Sequence, residues 1–322
     1  MSRTVTQALG PFLALLAVIV LFAIVDSSIS DSPSFLTLRN LRSTAAQAAP
    51  VLMAGIGMTL IIISGGIDLS VGNAAALAGM VLGLSLNRGD APILAVAACL
   101  SLGIAAGAFN GTLIATLKLP PFIVTLGTMT IVFGAAKLSN EGQPIRPPVE
   151  SIPHWMTTML APQQDAWYYF APGVWLTLVC ATVTGVLLRV TVWGRYVYAI
   201  GSNEKAARLS GVAVAWMKIS IYAAAGVFFG AAGMFFFCRL TQGTPDVGLG
   251  FELQVIAAVV VGGTSLSGGR GSIVGTSCGT AIIAVVKSGC VLLNVPNALQ
   301  DILLGLIVIV AAGIDRRRRM ES

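Results

Sequence analysis

The chain has 322 residues, of which 10% are charged and 56% hydrophobic, and its mean hydropathy is +0.88. Soluble domains carry about 25% charged residues, so 19 basic and 13 acidic side chains cannot cover a particle of 33.2 kDa. The composition therefore excludes a soluble globular protein and indicates a chain that crosses a membrane many times. The excess of basic residues is typical of membrane topology, and nucleic acid is not expected as a partner.

Ten apolar runs follow one another along the chain, most of them long enough to cross a hydrocarbon core of about 30 Å. They lie near residues 9–25, 45–64, 71–86, 92–117, 121–137, 173–188, 214–238, 251–263, 272–292 and 297–314. The runs are too continuous for the alternating strands of a barrel. We therefore predict an all-α polytopic membrane protein of about ten transmembrane helices, forming a single domain over residues 1–322. No small-x-small cleavage site follows the first run at Asp26, so that run is kept as a helix and not as a signal peptide.

Basic residues predict the orientation. With the N-terminus inside, twelve Lys and Arg residues fall on the cytoplasmic side and seven outside. Five of the inner residues lie between Arg189 and Lys218, and four more are Arg316–Arg319. The positive-inside rule then predicts that both termini are cytoplasmic. The longest outer segment, residues 139–172, is expected to lie partly along the membrane surface, because its aromatic residues suit the headgroup region: Trp155, Trp167, Tyr168 and Tyr169.

Two stretches of similar sequence end helices two and eight. Gly65-Gly66-Ile67-Asp68-Leu69-Ser70 is echoed by Gly262-Gly263-Thr264-Ser265-Leu266-Ser267 at an offset of 197 residues. Both follow a helix predicted to run from outside to inside, which favours a parallel internal repeat of helices two to four on eight to ten. The alternative is that both are simply good tight turns. In either case the glycines are expected to supply positive φ or close backbone approach where helices break.

Groups that carry chemistry are scarce within the predicted spans. Intramembrane charge marks ion-coupled transporters, but Asp68 falls in a turn, and Lys137, Lys287 and Asp301 lie near helix ends where they suit anchoring or the helix dipole. The sequence has no HExxH motif, no phosphate-binding loop and no CxxC pair among its five cysteines. We therefore predict neither catalytic residues nor a metal site, and any ATP-driven transport requires a partner.

The segment from Gly201 to Val212, between helices six and seven, is polar and rich in alanine. Ser202 and Asn203 are typical of a helix start, and Gly211 is typical of a helix end. One interpretation is a short helix near residues 202–211 that lies across the cytoplasmic face. The other is an ordinary connecting loop.

The same segment resembles the cytoplasmic coupling loop of bacterial ABC importer permeases, through Glu204, Ala206, Ala207 and Gly211, although Lys205 interrupts the pattern. Residues 64–72 and 261–271, with the two glycine turns, resemble the permeases of the ribose, xylose, arabinose and galactose type of monosaccharide importer. The start of helix five, Leu119 to Leu126, extends that resemblance, which covers nearly the whole chain.

The resemblance implies a permease subunit in the bacterial inner membrane that imports a sugar and works with several partners. These are a separate ABC ATPase that binds ATP and Mg²⁺, a periplasmic sugar-binding protein, and a second permease copy or a paralogue. The ATPase would dock at Asn203, Glu204, Ala206, Ala207, Arg208 and Gly211. The family-motif turns would comprise Gly65, Gly66, Asp68, Ser70, Gly72, Gly262, Gly263, Ser267, Gly268 and Arg270.

Polar and aromatic residues within or at the start of the spans are candidates for the solute pathway. They are Gln47, Thr59, Asn73, Asn110 and Phe122. A buried asparagine is equally well explained as an interhelical hydrogen bond. Alternative functions are an ion-coupled carrier, a passive channel, or an ABC permease for a nucleoside or another small polar solute.

Overall fold

The computed structural model describes residues 2–29, 32–161 and 169–320, with only the backbone described at residues 2–9, 312 and 314–320. Trp167 and Tyr168 of the outer segment lie outside the described residues, as do the side chains of Arg316–Arg319. The described chain is helical and contains no β-strand. Its α-helices are α1 (Ser2–Ile29), α2 (Leu38–Ile63), α3 (Val71–Asn87), α4 (Pro92–Leu117), α5 (Pro121–Leu138), α6 (His154–Thr158), α7 (Pro172–Val190), α8 (Val192–Ser202), α9 (Glu204–Leu209), α10 (Val214–Leu240), α11 (Phe251–Val261), α12 (Ile273–Leu292) and α13 (Asn297–Met320).

Seven of the described helices are long and apolar enough to cross a membrane, namely α1, α2, α4, α5, α7, α10 and α12. The helix α3 and the apolar part of α13 are shorter, and α11 has 11 residues, a length of about 16 Å. The prediction of an all-α polytopic membrane protein is therefore confirmed.

The helix α2 forms the centre of the bundle. Of its most apolar 18-residue stretch, 83% is buried inside the protein, because α10, α11, α12 and α7 pack around it. The outer helices α1, α5, α7 and α13 instead expose large apolar side chains, such as Leu16, Ile131, Val183 and Ile309. Those exposed side chains suit contact with lipid tails.

Glycines allow α4 and α10 to pack closely. A side chain at Gly103 would collide with the backbone of Gly226 and Gly230, and one at Gly107 would collide with the carbonyl oxygen of Tyr222. The contacts move down α10 as they move up α4, so the two helices are antiparallel. The stripe of small residues on α4 thus brings two backbones together.

The two halves of the chain repeat each other in opposite orientation. The helices α2 and α10 start 176 residues apart and have 26 and 27 residues. At the same offset, Lys118-Leu119-Pro120 before α5 matches Asn294-Val295-Pro296 before α13, and both Lys118 and Asn294 have a φ of 54°. The helices α2 and α10 are antiparallel, because Gly57 faces Phe229 whereas Gly66 faces Tyr222. The helix order therefore describes an inverted repeat of α2–α5 on α10–α13.

The parallel repeat predicted from the glycine echo is therefore wrong as a description of the fold. The helices α2 and α11 do run in the same direction, since both are antiparallel to α12, but they differ in length by more than twofold. A six-residue echo reflects the chemistry of a turn, which recurs wherever a helix must end sharply.

The segment between α10 and α11 re-enters the bundle along α3. Gly243 lies against Met80 in the second half of α3, and Gly248 lies against Gly72 in its first turn. The helix α11 consequently begins beside the start of α3. Both are short, discontinuous helices, an arrangement found around transport pathways.

Candidate functional site

The polar segment after α7 forms two helices joined at a sharp bend. The helix α8 ends at Ser202, and α9 follows after Asn203, whose side-chain Oδ1 accepts a 3.0 Å hydrogen bond from the amide of Ala206. Gly211 has a φ of +85°, and the amide of Val212 bonds the carbonyl oxygen of Ala207. The helix therefore starts and ends at the capping residues noted in the sequence, and has six residues.

Glu204 is held by two cations. Its Oε1 lies 3.0 Å from Nη2 of Arg208, and its Oε2 lies 2.8 Å from Nζ of Lys218 near the start of α10. Partial burial raises the pKa of Glu204, but the hydrogen bond from Lys218 and the charges of Lys218 and Arg208 outweigh it, so the pKa lies below its ordinary value. The spacing of four residues indicated the partner on α9. The partner on α10 is a tertiary contact with no signal in the sequence.

The two alanines of α9 face opposite ways. Ala207 is buried in an apolar cluster with Ile200, Val212 and Val214, whereas Ala206 is exposed. Leu209 is 89% exposed. The exposed surface of α9 therefore contains Ala206, Lys205 and Leu209, whereas Ala207, one of the residues predicted to dock the ATPase, is buried.

Both glycine turns meet at the end of α8. The amide of Gly269 donates a 2.8 Å hydrogen bond to the carbonyl oxygen of Ile63, at the end of α2. A side chain at Gly268 would lie 2.9 Å from Cα of Gly65 and 3.0 Å from Cα of Gly201 in α8. Tyr198 of α8 adds a 2.9 Å hydrogen bond to the carbonyl oxygen of Gly271. We call these five glycines and Ile63 the glycine junction: Gly65, Gly201, Gly268, Gly269 and Gly271 with Ile63.

The paired glycines have different roles within their turns. Gly65 and Gly263 have a φ of +85° and +88°, so the backbone register of the two turns is shifted by one residue from the sequence echo. Gly66 and Gly262 do not adopt positive φ; a side chain at Gly66 would collide with Oη of Tyr222 and one at Gly262 with the backbone of Gly275. Ser267 and Arg270 are exposed, although the carbonyl oxygen of Arg270 accepts the amide of Ser265.

Asp68 lies in a turn as predicted, but it is buried, with 1% of its surface exposed. Its Oδ1 accepts the amide and the hydroxyl of Ser70, at 2.8 and 2.6 Å, and its Oδ2 accepts Nδ2 of Asn110 at 3.1 Å. This cluster connects the α2–α3 turn to α4. The interpretation of Asp68 as an ordinary turn residue is therefore incomplete.

Three of the five candidate pathway residues are occupied in helix packing. Thr59 shares a 2.6 Å hydrogen bond with Thr276 of α12, Asn73 donates to the carbonyl oxygen of Met129 on α5, and Asn110 donates to Asp68. Phe122 is 51% exposed on the outside of α5. Of the five, Gln47 lines a large cavity.

A second cavity lies beside it, and the two have volumes of about 320 and 340 Å³, a size typical of small-molecule sites. The first lies among α2, α10, α11 and α12, and the second lies among α11, α12 and α13. Gln254, Ile283 and Lys287 line both. Sequence reasoning missed Gln254, because a single glutamine in an apolar run gives no periodic signal.

The sequence survey also missed a buried carboxylate at the start of α11. Glu252 is buried, and its Oε2 has no hydrogen-bond partner among the described residues. It lies against Gly72, where a side chain would approach Oε2 to 2.9 Å. The positive end of the α11 dipole stabilises a negative charge at this position. The expectation that intramembrane charge is almost absent is therefore wrong for Glu252 as well as for Asp68.

This is a membrane bundle of many helices, some of them discontinuous, with internal cavities and a surface helix joined to the helix breaks. Such an arrangement defines a membrane transport protein. The chain belongs to the family described as "Branched-chain amino acid transport system / permease component", which matches residues 40–312. It is 39% identical to the ribose import permease protein RbsC of Bacillus subtilis (strain 168), over 98% of this chain and 94% of the relative. It is also 34% identical to the fructose import permease protein FrcC of Rhizobium meliloti, over 98% and 89%. The L-arabinose transport system permease protein AraH of Escherichia coli (strain K12) is 35% identical, over 89% and 85%.

No solved structure matches the chain. The resemblance inferred from the two glycine turns and the coupling segment is confirmed by these relatives, which are named as sugar permeases.

Proposed function

We propose that this chain is the transmembrane subunit of an ABC importer that carries a monosaccharide from the periplasm to the cytoplasm of a bacterium, with a separate subunit hydrolysing ATP. The observation that carries the proposal is its 39% identity, over nearly the full length, to a permease named for ribose import. Relatives named for fructose and arabinose support a monosaccharide as the class of cargo.

We further propose ten membrane segments with both termini cytoplasmic, in the inner membrane. The seven long apolar helices would be joined by α3, α11 and α13. The basic residues around α8 and α9 support this orientation, since it places them inside. The glycine junction and α9 then face the cytoplasm, and the large cavity opens toward the periplasm.

The partners follow from this orientation. The ATPase, which holds ATP and Mg²⁺, would dock on α9, and the sugar-binding protein would deliver cargo to the periplasmic side. A second permease copy or a paralogue would complete the membrane unit. Because α8 contacts the end of α2 and the segment that leads into α12, movement of α9 by the ATPase would be passed directly to these two places.

Reconstitution into liposomes tests the proposal. The chain is combined with the ATPase and sugar-binding protein of its own operon, and uptake of radiolabelled D-ribose, D-fructose and L-arabinose is measured with and without internal ATP. We expect uptake of at least one sugar that requires both ATP and the binding protein. Uptake driven by a proton or sodium gradient in the chain alone would contradict it.

An ion-coupled carrier is the second candidate function, because Glu252 is a buried carboxylate beside a helix break, and one of its oxygens has no hydrogen-bond partner in the described part of the chain. Such residues mark ion pathways in other transporters. The gradient experiment without ATP separates the two functions directly.

A further inference from the structure

A third cavity, of about 300 Å³, opens on the outside of the bundle between α7 and α12. Leu178, Val186 and Val274 line it, and each of these side chains is close to half exposed. The buried side chains of Ala181 and Leu188 form its floor. This apolar wall continues the face of α7 that suits contact with lipid tails. We call this cavity the lateral groove.

The lateral groove has the length of one lipid leaflet. Its wall on α7 extends from Leu178 to Arg189, eleven residues further along the helix, which is a distance of about 16 Å. Half of a hydrocarbon core of about 30 Å is about 15 Å. In the proposed orientation α7 reaches the cytoplasmic surface at its C-terminal end. Arg189 then lies at the level of the inner headgroups, and Leu178 lies near the middle of the bilayer.

The cytoplasmic end of the lateral groove is positively charged. Arg189 lines the groove in the last turn of α7, and it takes part in neither of the two ion pairs found among the described residues. The helix α12 begins at the same end, where its N-cap Ser272 and its first residues, Ile273 and Val274, also line the groove. The first amides of a helix have no partner within the helix and carry the positive end of its dipole, so they favour a phosphate.

No acidic residue opposes an anion in this wall. Residues 172–203, which include α7 and α8, contain no Asp or Glu, and neither do residues 253–300, which include α12. Arg195 and Arg270 add two exposed positive charges to the same segments. A second copy packed here by two-fold symmetry would place two such cationic walls against each other, and a free phosphate would leave the apolar wall unfilled. An anionic lipid matches both parts of the groove.

We propose that the lateral groove binds an anionic phospholipid, with its phosphate at Arg189 and the start of α12 and one acyl chain along the apolar wall. The proposal goes beyond the proposed function and uses its orientation only to assign the lipid to the cytoplasmic leaflet. Tyr198 of α8 lines the groove and donates its hydroxyl to the carbonyl oxygen of Gly271 in the glycine junction. A bound lipid would therefore hold α8 against the junction and stabilise the folded permease.

Lipid titration of the delipidated full chain in detergent tests the proposal. Native mass spectrometry measures the affinities for dioleoyl phosphatidylglycerol, which is anionic, and dioleoyl phosphatidylethanolamine, which is zwitterionic, and thermal unfolding measures the change in Tm. The wild type should bind phosphatidylglycerol more tightly and gain Tm with it. Arg189→Gln should bind phosphatidylglycerol about tenfold more weakly, because one charge-assisted hydrogen bond is lost. Arg195→Gln is the matched control, since Arg195 is exposed but does not line the groove.

A second pair of variants tests the apolar wall without changing any charge. Val274→Trp should fill the groove and weaken phosphatidylglycerol binding, whereas Val183→Trp should not, since Val183 is equally exposed on α7 but lies outside the groove. The Tm of each lipid-free variant shows whether it is folded, and if Arg189→Gln fails to fold, the tryptophan pair decides.

Three results would overturn the lipid site. The first is equal wild-type affinity for the two lipids, or equal phosphatidylglycerol affinity in each variant and its control. The second is an equal rise in Tm with inorganic phosphate, which would assign the groove to a free anion. The third is a change in the oligomeric state of Val274→Trp with unchanged lipid affinity, which would assign the groove to a second copy. None of these readouts needs transport, so a lack of ATP-dependent uptake would contradict the importer function alone.

Discussion

Replacement of Gly201 by alanine should separate ATP hydrolysis from sugar transport. A Cβ at this position would overlap the carbonyl oxygen of Ile63 and lie 2.6 Å from the amide nitrogen of Gly269. Both are backbone atoms, and they belong to the very hydrogen bond that joins α2 to the second glycine turn. The methyl group must therefore push α8 away from the junction, because no flexible side chain can yield.

The expected magnitude has two parts. Overpacking a closed contact costs about 1–3 kcal/mol, and alanine in place of glycine within a helix returns about 1 kcal/mol. Because the contact is with backbone atoms, the cost lies at the upper end of its range, and the net loss of stability is about 2 kcal/mol. That loss leaves most molecules folded, while the contact through which α8 reaches both turns is displaced.

The assay measures thermal unfolding of the purified complex, ATPase activity, and sugar transported per ATP in liposomes. Gly201→Ala should retain ATPase activity and lose at least tenfold in sugar per ATP. Gly185→Ala is the matched control, since Gly185 is also helical and its nearest neighbouring atom would be 3.7 Å from the new Cβ, an ordinary contact. Transport per ATP equal to the wild type in Gly201→Ala would refute a mechanical role for the glycine junction.

Three further predictions concern the two ends of α9 and the buried carboxylate at the start of α11. Gly211→Val should reduce recovery of the ATPase with the permease, because a φ of +85° strains a β-branched residue although the space around it is open. Gly89→Val is the control, because Gly89 has a φ of +83° and equally open space. Equal ATPase recovery with the two variants would argue against α9 as the docking helix. Glu204→Gln should lower Tm at neutral pH, and the difference in Tm from the wild type should vanish as the pH falls. The reason is that the pKa of Glu204 lies below its ordinary value of 4.5 in the folded protein. The stabilising contribution of the carboxylate is therefore present above pH 4.5 and is lost as the pH drops through the pKa of the folded state. Glu252→Gln should preserve ATP-dependent uptake within about twofold, since a neutral amide keeps the shape beside Gly72; loss of uptake together with loss of its pH dependence would instead favour the ion-coupled carrier.

Several properties of this protein were determined by its sequence alone. The low charge and the long apolar runs require a helical membrane bundle, because backbone groups in lipid must be hydrogen-bonded within their own segment. The capping residues Asn203 and Gly211 define the ends of α9, since capping acts within a few residues. The paired glycines at residues 65–66 and 262–263 likewise indicated where helices break.

Only the tertiary structure decided which distant residues meet. Three contacts join helices that are far apart in sequence: the breaks converge on Gly201, Lys218 binds Glu204, and Thr59 bonds Thr276. The direction of the internal repeat also depends on which helices pack antiparallel, and the local echo of the glycine turns pointed to the wrong pairing. Apolar helices that are buried on most sides carry little periodic signal, so their sequence cannot tell which face lines a cavity and which faces lipid.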